Sequence, residues 1–273
     1  MKIIQNHIKV GAEMLKNQLL VEMKRSLTFR NLLIWLSIIV ILPAVRFYVI
    51  SEGYQFYKPI EVFQETVSAF VPLLFPALAI IIYLPSFLHE QRNNFILYTQ
   101  SRIPLNTYIL SKGIINAFLT GVVIFSLIFF TFIFVVYVEP HLGIIYYTPI
   151  DENAFIPTFT FSSLLSYGDF VYCFTYALWV SINAIVYSTI AFMLLLVLEN
   201  PFVALSAPFV YYHVFNFITG VLNIAQFSPL STIFPFNIEE QPFWTIMVPF
   251  CFLLIILLGI YAFVLKKRKD WVV

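Results

Sequence analysis

The chain has 273 residues, of which 61% are hydrophobic and only 11% charged, with a mean hydropathy of +0.90. A soluble domain carries about 25% charged residues, so a chain this poor in charge cannot cover its own surface in water. The net charge of +1 carries little information as a sum, but its distribution carries much: no Lys or Arg occurs from 113 to 265, while acidic residues do.

The first thirty residues hold six basic side chains and no apolar run, which fits neither a signal peptide nor a span. At helical spacing, Ile4, Ile8, Ala12, Leu15, Leu19 and Met23 share one arc. Lys2, Lys9, Glu13, Lys16, Asn17 and Lys24 lie opposite. The pattern predicts an amphipathic arm over 1–30, lying in the membrane interface with its basic face toward anionic headgroups. Such an arm anchors the chain, and it is also placed to touch a cytoplasmic partner. Glu22 falls on the apolar arc and breaks the pattern.

A bilayer-spanning helix needs about 20 mostly apolar residues. Six segments meet this: 32–50, 67–88, 114–138, 171–198, 202–224 and 243–265. The fold class expected is therefore an all-α polytopic membrane protein with six transmembrane helices, forming one transmembrane domain over 1–273. Lys and Arg are retained on the cytoplasmic side of a membrane. Both termini, the basic loop 89–112 and the turn Glu199-Asn200-Pro201 are then inside. The connections 51–66, 139–170 and 225–242 are outside, with nine acidic residues and one basic residue, Lys58.

The outer loop 139–170 is long and aromatic (Tyr146, Tyr147, Phe155, Phe159, Phe161) and is expected to pack on the outer mouth. Segment 225–242 is apolar but interrupted by Pro229, Pro235 and Pro242, which reads as a re-entrant or interfacial hairpin. Arg46, near the outer end of the first span, either snorkels to the interface or pairs with Glu52 or Glu61. The fourth and fifth spans carry most of the polar side chains. Taken singly these are helix-to-helix glue. Taken together, Tyr176, Asn183, Tyr187, Tyr211, Tyr212, His213 and Asn216 are candidates to line a translocation path. His213 is a packing residue on the plainer reading and a pH reporter on the other.

Several chemistries lack their residues. The sequence has no Gly-rich phosphate loop ending in Lys-Ser or Lys-Thr, no His-Glu-x-x-His and no Gly-x-Ser-x-Gly. Cys173 and Cys251 sit in apolar runs without metal-ligand spacing. The spans hold no carboxylate, which argues against a carrier driven by protons or sodium. No catalytic residue and no metal site are assigned, and energised transport would draw its work from elsewhere.

The loop from His89 to Lys112 resembles that of the membrane subunit of an ABC transporter of the type-2 exporter class. Glu90 and Arg92 match the acidic-basic start of that family's loop; Pro104, Tyr108 and Lys112 match its turn and its entry into the third span. Asn94 and Ser111 stand where the family usually has Gly, and Pro104 lies about two places late. The resemblance implies a permease that pairs with a second copy or a paralogue in the bacterial plasma membrane. Two copies of a separate ATPase subunit would carry ATP and Mg, with no cofactor bound directly by this chain, no enzymatic activity of its own and no nucleic-acid partner. The loop 89–112 would be the coupling element, with Glu90, Arg92, Tyr98, Thr99, Arg102, Pro104, Tyr108 and Lys112 as its contact residues. The implied substrate is hydrophobic or amphipathic: a peptide such as a bacteriocin or toxin, a lipid-linked molecule or a drug. The alternatives are a peptide-immunity or sensor subunit and, ranked below it, an integral membrane enzyme acting on lipid or peptide.

Overall fold

Where water is absent, backbone polar groups must pair within the protein, and long apolar segments satisfy this as helices. The computed structural model describes residues 2–93, 103–149 and 159–267, with side chains from residue 11 onward apart from Asn237. The helices are α1 (Lys2–Ser26), α2 (Phe29–Gly53), α3 (Pro59–Ser68), α4 (Phe70–Arg92), α5 (Leu105–Leu142), α6 (Asp169–Val197), α7 (Pro201–Val221), α8 (Pro229–Ile233) and α9 (Phe243–Lys267). Six of them, α2, α4, α5, α6, α7 and α9, are long and apolar enough to cross a membrane. No strand occurs among the described residues, and the chain is an all-α polytopic membrane protein. The boundaries follow the hydropathy closely except in the third span, which begins at Leu105 rather than 114 and runs on to Leu142.

Three helices form the centre. The most apolar windows of α4, α5 and α6 are 61, 56 and 72% buried within the protein, against 22, 22 and 11% for α2, α7 and α9. Helix α6 comes close to α5 at Gly121, where a Cβ would lie 2.9 Å from Ile185 Cδ1. One turn away, Asn116 Nδ2 donates to Ser188 Oγ at 3.1 Å. A glycine that admits a neighbouring helix, flanked by a side-chain hydrogen bond, is the usual packing device where no hydrophobic force separates helix from lipid.

Helix α4 is bent twice, and other spans satisfy the carbonyls that the bends release. Pro76 has no N–H for the Pro72 carbonyl; the Tyr212 hydroxyl of α7 donates to that oxygen at 2.9 Å. Near Tyr83 the Ser86 N–H turns to the Tyr83 carbonyl at 3.0 Å, leaving the Ile82 carbonyl without its helical partner. Trp35 Nε1 of α2 donates there at 3.0 Å. The bends are thus fixed by α2 and α7.

At the end opposite the termini, 225–242 packs into the bundle. Ser228 caps α8 by accepting from the Ser231 N–H at 3.0 Å, and Asn216 Oδ1 accepts from the Leu230 N–H at 2.9 Å. Trp179 Nε1 donates to the Thr232 carbonyl at 2.7 Å. Trp179 lies about 15 Å along α6 from Asp169, at about 1.5 Å per residue. Ile233, Phe234 and Phe236 are buried. Irregular backbone at this depth is tolerated because protein, not lipid, surrounds it. Among the described residues of 139–170, Phe161 packs on Phe236 at 5.2 Å, while Tyr146 is exposed; Phe155 lies outside the described residues. Glu139 is buried and accepts from the Ile145 N–H at 2.8 Å and from the Tyr147 hydroxyl. Burial, together with that hydrogen bond and the Glu139 charge, pushes the Tyr147 phenol up from its ordinary value.

Arg46 pairs with neither Glu52 nor Glu61. Helix α3 turns Glu65 toward α2, and Arg46 binds its carboxylate, donates to its carbonyl at 3.3 Å and lies 5.6 Å from the Tyr54 ring centroid. Glu61 instead caps α3 by accepting from the backbone N–H of Tyr57 (2.8 Å) and Lys58 (3.4 Å).

Replacing Tyr212 by Phe leaves the Pro72 carbonyl buried without a donor. The expected loss is about 1–3 kcal/mol of stability, read from unfolding of the purified protein in detergent. Thr175→Val, whose hydroxyl bonds only its own helix at Val171, should leave the transition nearly unchanged.

Candidate functional site

The end of the bundle that holds α1 and the end of α9 contains a group of four charges, built on two fully buried members. Glu22, which interrupts the apolar arc of α1 in the sequence, is 2% exposed, and Lys112 on α5 is 1% exposed. The Lys112 ammonium sits between the Glu22 carboxylate and Glu90 Oε2 of α4, the latter at 2.5 Å. Arg25 Nε approaches Glu90 Oε1 at 3.4 Å and Arg25 Nη1 approaches Glu22 Oε1 at 4.0 Å. Two carboxylates, an ammonium and a guanidinium leave the group with no net charge.

Local geometry places each member. Tyr108 and Lys112 stand four residues apart on one face of α5. The Tyr108 hydroxyl donates to Glu90 Oε2 at 3.1 Å, and its ring centroid lies 5.3 Å from the Lys112 ammonium. Gln18, one turn before Glu22, donates to Glu22 Oε1 at 3.0 Å. The Ser26 hydroxyl bonds the Glu22 carbonyl at 2.8 Å. Asn31 Nδ2 then donates to both the Ser26 carbonyl (2.8 Å) and Ser86 Oγ (3.2 Å). The charges therefore join α1, the end of α4 and the start of α5, and Asn31 adds the start of α2.

The face of α1 turned inward overlaps the predicted arc at Leu19, Glu22 and Met23 and extends past its edge to Gln18. Gln18, Glu22 and Ser26 are buried, and Leu19 and Met23 pack on the core beside them. Ala12 is exposed, as are Leu20 and Val21. The seam is rotated because α1 docks on α5 through its polar residues. Lys16 and Lys24 remain on the exposed side.

Of the loop residues singled out by sequence, Glu90, Tyr108 and Lys112 are brought together. Pro104 caps the N-terminus of α5, and Arg92 is exposed at the end of α4. Tyr98, Thr99 and Arg102 lie outside the described residues. Tyr108 and Lys112, expected as contact residues for a partner, are instead engaged within the chain, because burial leaves them no free surface. Gln18, Glu22 and Arg25 are members that the loop reading missed. The one signal for Glu22 was its position on an apolar arc.

The seven candidate path residues do not share one open passage. Tyr176 stacks on Phe236 at 4.6 Å. Tyr187 and Tyr212 pack around Phe75, with Tyr211 6.4 Å from Tyr187. Asn216 holds the Leu230 N–H, and Asn183 Nδ2 bonds the Trp179 carbonyl of its own helix at 3.0 Å. The His213 ring lies 4.3 Å from that of Phe209, with Nε2 buried and unpartnered. Tyr187 and Tyr211 also border a cleft of about 210 Å³ between α6, α7 and α9. These side chains serve mostly as packing.

Among the described residues no three His, Cys, Asp or Glu side chains are grouped to hold a metal ion, and both cysteines are free. The fold and the site define a multi-pass membrane protein whose basic end is closed by a buried, charge-balanced cluster. Comparison with family models, with curated proteins and with solved structures gave no match.

A buried ion pair adds little net stability while intact, because desolvation offsets attraction, but removing one partner strands the other. Lys112→Met is expected to cost about 3–5 kcal/mol. The double variant Glu22→Gln, Lys112→Met should recover most of that loss, as measured by thermal unfolding of the full chain.

Proposed function

We propose that the chain is the permease subunit of an ATP-driven exporter of the ABC type-2 class, set in a bacterial plasma membrane with both termini in the cytoplasm. The observation that carries this reading is the ion cluster at the base of the loop between α4 and α5. Glu90 and Lys112 stand on the two stems of that loop, and Glu22 and Arg25 bring α1 to the same point. A force applied to the loop therefore reaches α4, α5 and α1 as one body. Rigid-body movement of packed helices is a standard way to convert a local push into a global switch.

The distribution of basic residues supports the orientation, since positive charge is kept at the cytoplasmic face. The sequence has no phosphate-binding loop, so ATP, with its Mg, is hydrolysed on two copies of a separate ATPase that docks against the loop. A second permease copy or a paralogue completes the path. The substrate is a hydrophobic or amphipathic molecule: a bacteriocin-like or toxin-like peptide, a lipid-linked compound or a drug. In this scheme Tyr108 and Lys112 transmit force inside the chain, while Arg92 and the loop beyond it meet the ATPase.

The test begins with affinity purification of the full chain from its own membranes. An ATPase bearing a nucleotide-binding motif is expected in near-stoichiometric amount, and its absence would sink the proposal. In the reconstituted complex, Arg92→Glu should weaken capture of the ATPase. Glu22→Gln should leave capture intact but lower ATP turnover stimulated by the exported molecule.

A further inference from the structure

Two clefts meet at the basic end of the bundle. The first, about 420 Å³, lies between α5, α6 and α9, with Gly113, Ala117, Met193 and Leu265 among its walls. Its walls are mostly apolar, with Asn106, Thr189 and Tyr261 among them. The second, about 330 Å³, is lined by Gln91, Glu199 and Lys267 together with apolar side chains. The two share Ile109 and Leu196 as walls, so the apolar slot adjoins a cleft that carries a lysine, a glutamate and a glutamine on otherwise mostly apolar walls.

The polar cleft holds opposite charges that do not pair with each other among the described residues. The Lys267 ammonium donates to the Val197 carbonyl at 2.5 Å, which leaves two of its three donors. Glu199 is exposed at the start of the turn between α6 and α7. Gln91 donates through Nε2 to the Leu195 carbonyl at 3.4 Å, while its Oε1 is buried with no hydrogen-bond partner. The cleft thus offers one cation, one carboxylate and one unused acceptor beside a slot for hydrocarbon.

We infer that these joined clefts bind a phosphatidylethanolamine molecule from the leaflet at the basic end. An acyl chain lies in the apolar slot, the phosphate meets Lys267, and the primary ammonium donates to Glu199 and Gln91 Oε1. The charge pattern selects this headgroup. Phosphatidylcholine carries a quaternary nitrogen with no N–H for the Gln91 oxygen. Phosphatidylglycerol carries no cation to meet Glu199. Basic pockets between membrane helices on the cytoplasmic side are known to take lipid headgroups; the carboxylate beside this lysine makes the pocket fit a zwitterion rather than an anion.

The experiment uses the full chain, purified and stripped of lipid in detergent. Dioleoyl phosphatidylethanolamine, phosphatidylcholine and phosphatidylglycerol are added in turn, and binding is read by native mass spectrometry and by thermal unfolding. Phosphatidylethanolamine is expected to bind about tenfold more tightly than either of the others, a difference of about 1.4 kcal/mol. Glu199→Gln, an exposed change that spares the core, should abolish its advantage over phosphatidylglycerol. Ala117→Phe, which fills the slot, should weaken all three lipids. Equal binding of the three by the unaltered chain, or an advantage that survives both variants, overturns the inference. So does an Ala117→Phe variant that loses self-association while keeping its lipid affinity, since the slot would then belong to a second copy. No ATPase enters the measurement, so the outcome is independent of the transport proposal.

Discussion

A lysine removed from water must be neutralised where it lies, and much of the basic end of this protein follows from that requirement at Lys112. Its side chain is 1% exposed and its ammonium is held by two carboxylates from two other helices. An ion so placed fixes the relative positions of α1, α4 and α5 more tightly than apolar packing does, because a small displacement strands a charge rather than opening a small gap. Apolar contacts tolerate sliding; this contact does not. The rest of the end is arranged around it. Tyr108 supplies a donor to Glu90, Gln18 supplies one to Glu22, and Arg25 balances the second carboxylate.

The opposite end is held by a different device. There the ties are side-chain donors to backbone carbonyls: Tyr212 to Pro72, Trp179 to Thr232 and Tyr172 to Phe236. Each serves an irregular stretch of backbone that hydrocarbon would penalise. Aromatic residues suit this task because one side chain fills space and carries a polar tip. Two tyrosines, Tyr212 and Tyr172, and two tryptophans, Trp35 and Trp179, are the donors that satisfy the bends and the inserted segment. The two ends thus differ in emphasis: a buried group of charges dominates one, while ring donors to backbone carbonyls, beside the Arg46–Glu65 pair, hold the other.

The fold was legible because its signal is local. Continuous apolar runs and the sorting of Lys and Arg set the six spans, and Pro229, Pro235 and Pro242 marked the inserted segment. The site was legible only in part. The loop stems Glu90, Tyr108 and Lys112 could be found because they lie close in sequence. Glu22 could not be matched to Lys112, since the pair is separated by 90 residues and periodicity carries no information on which helices meet. Arg46 shows the same limit. Glu52 and Glu61 were reasonable partners by proximity, yet the turn before α3 presents Glu65 instead. The rotation of α1 has a related cause: an arc chosen by hydropathy cannot foresee docking through a carboxylate and an amide.

The separation between Glu22 and Lys112 also bears on biogenesis. A chain made from its N-terminus releases Glu22 long before Lys112, and Glu90 arrives between them. Until α5 is inserted, the carboxylate of α1 has only near neighbours such as Arg25 for company. Helix α1 is therefore synthesised before its partners and can seat only after three spans, α2, α4 and α5, have entered the bilayer. Its docking therefore depends on α4 and α5 lying in register, and a chain in which they do not leaves the Glu22 carboxylate, on an otherwise basic arm, without its lysine.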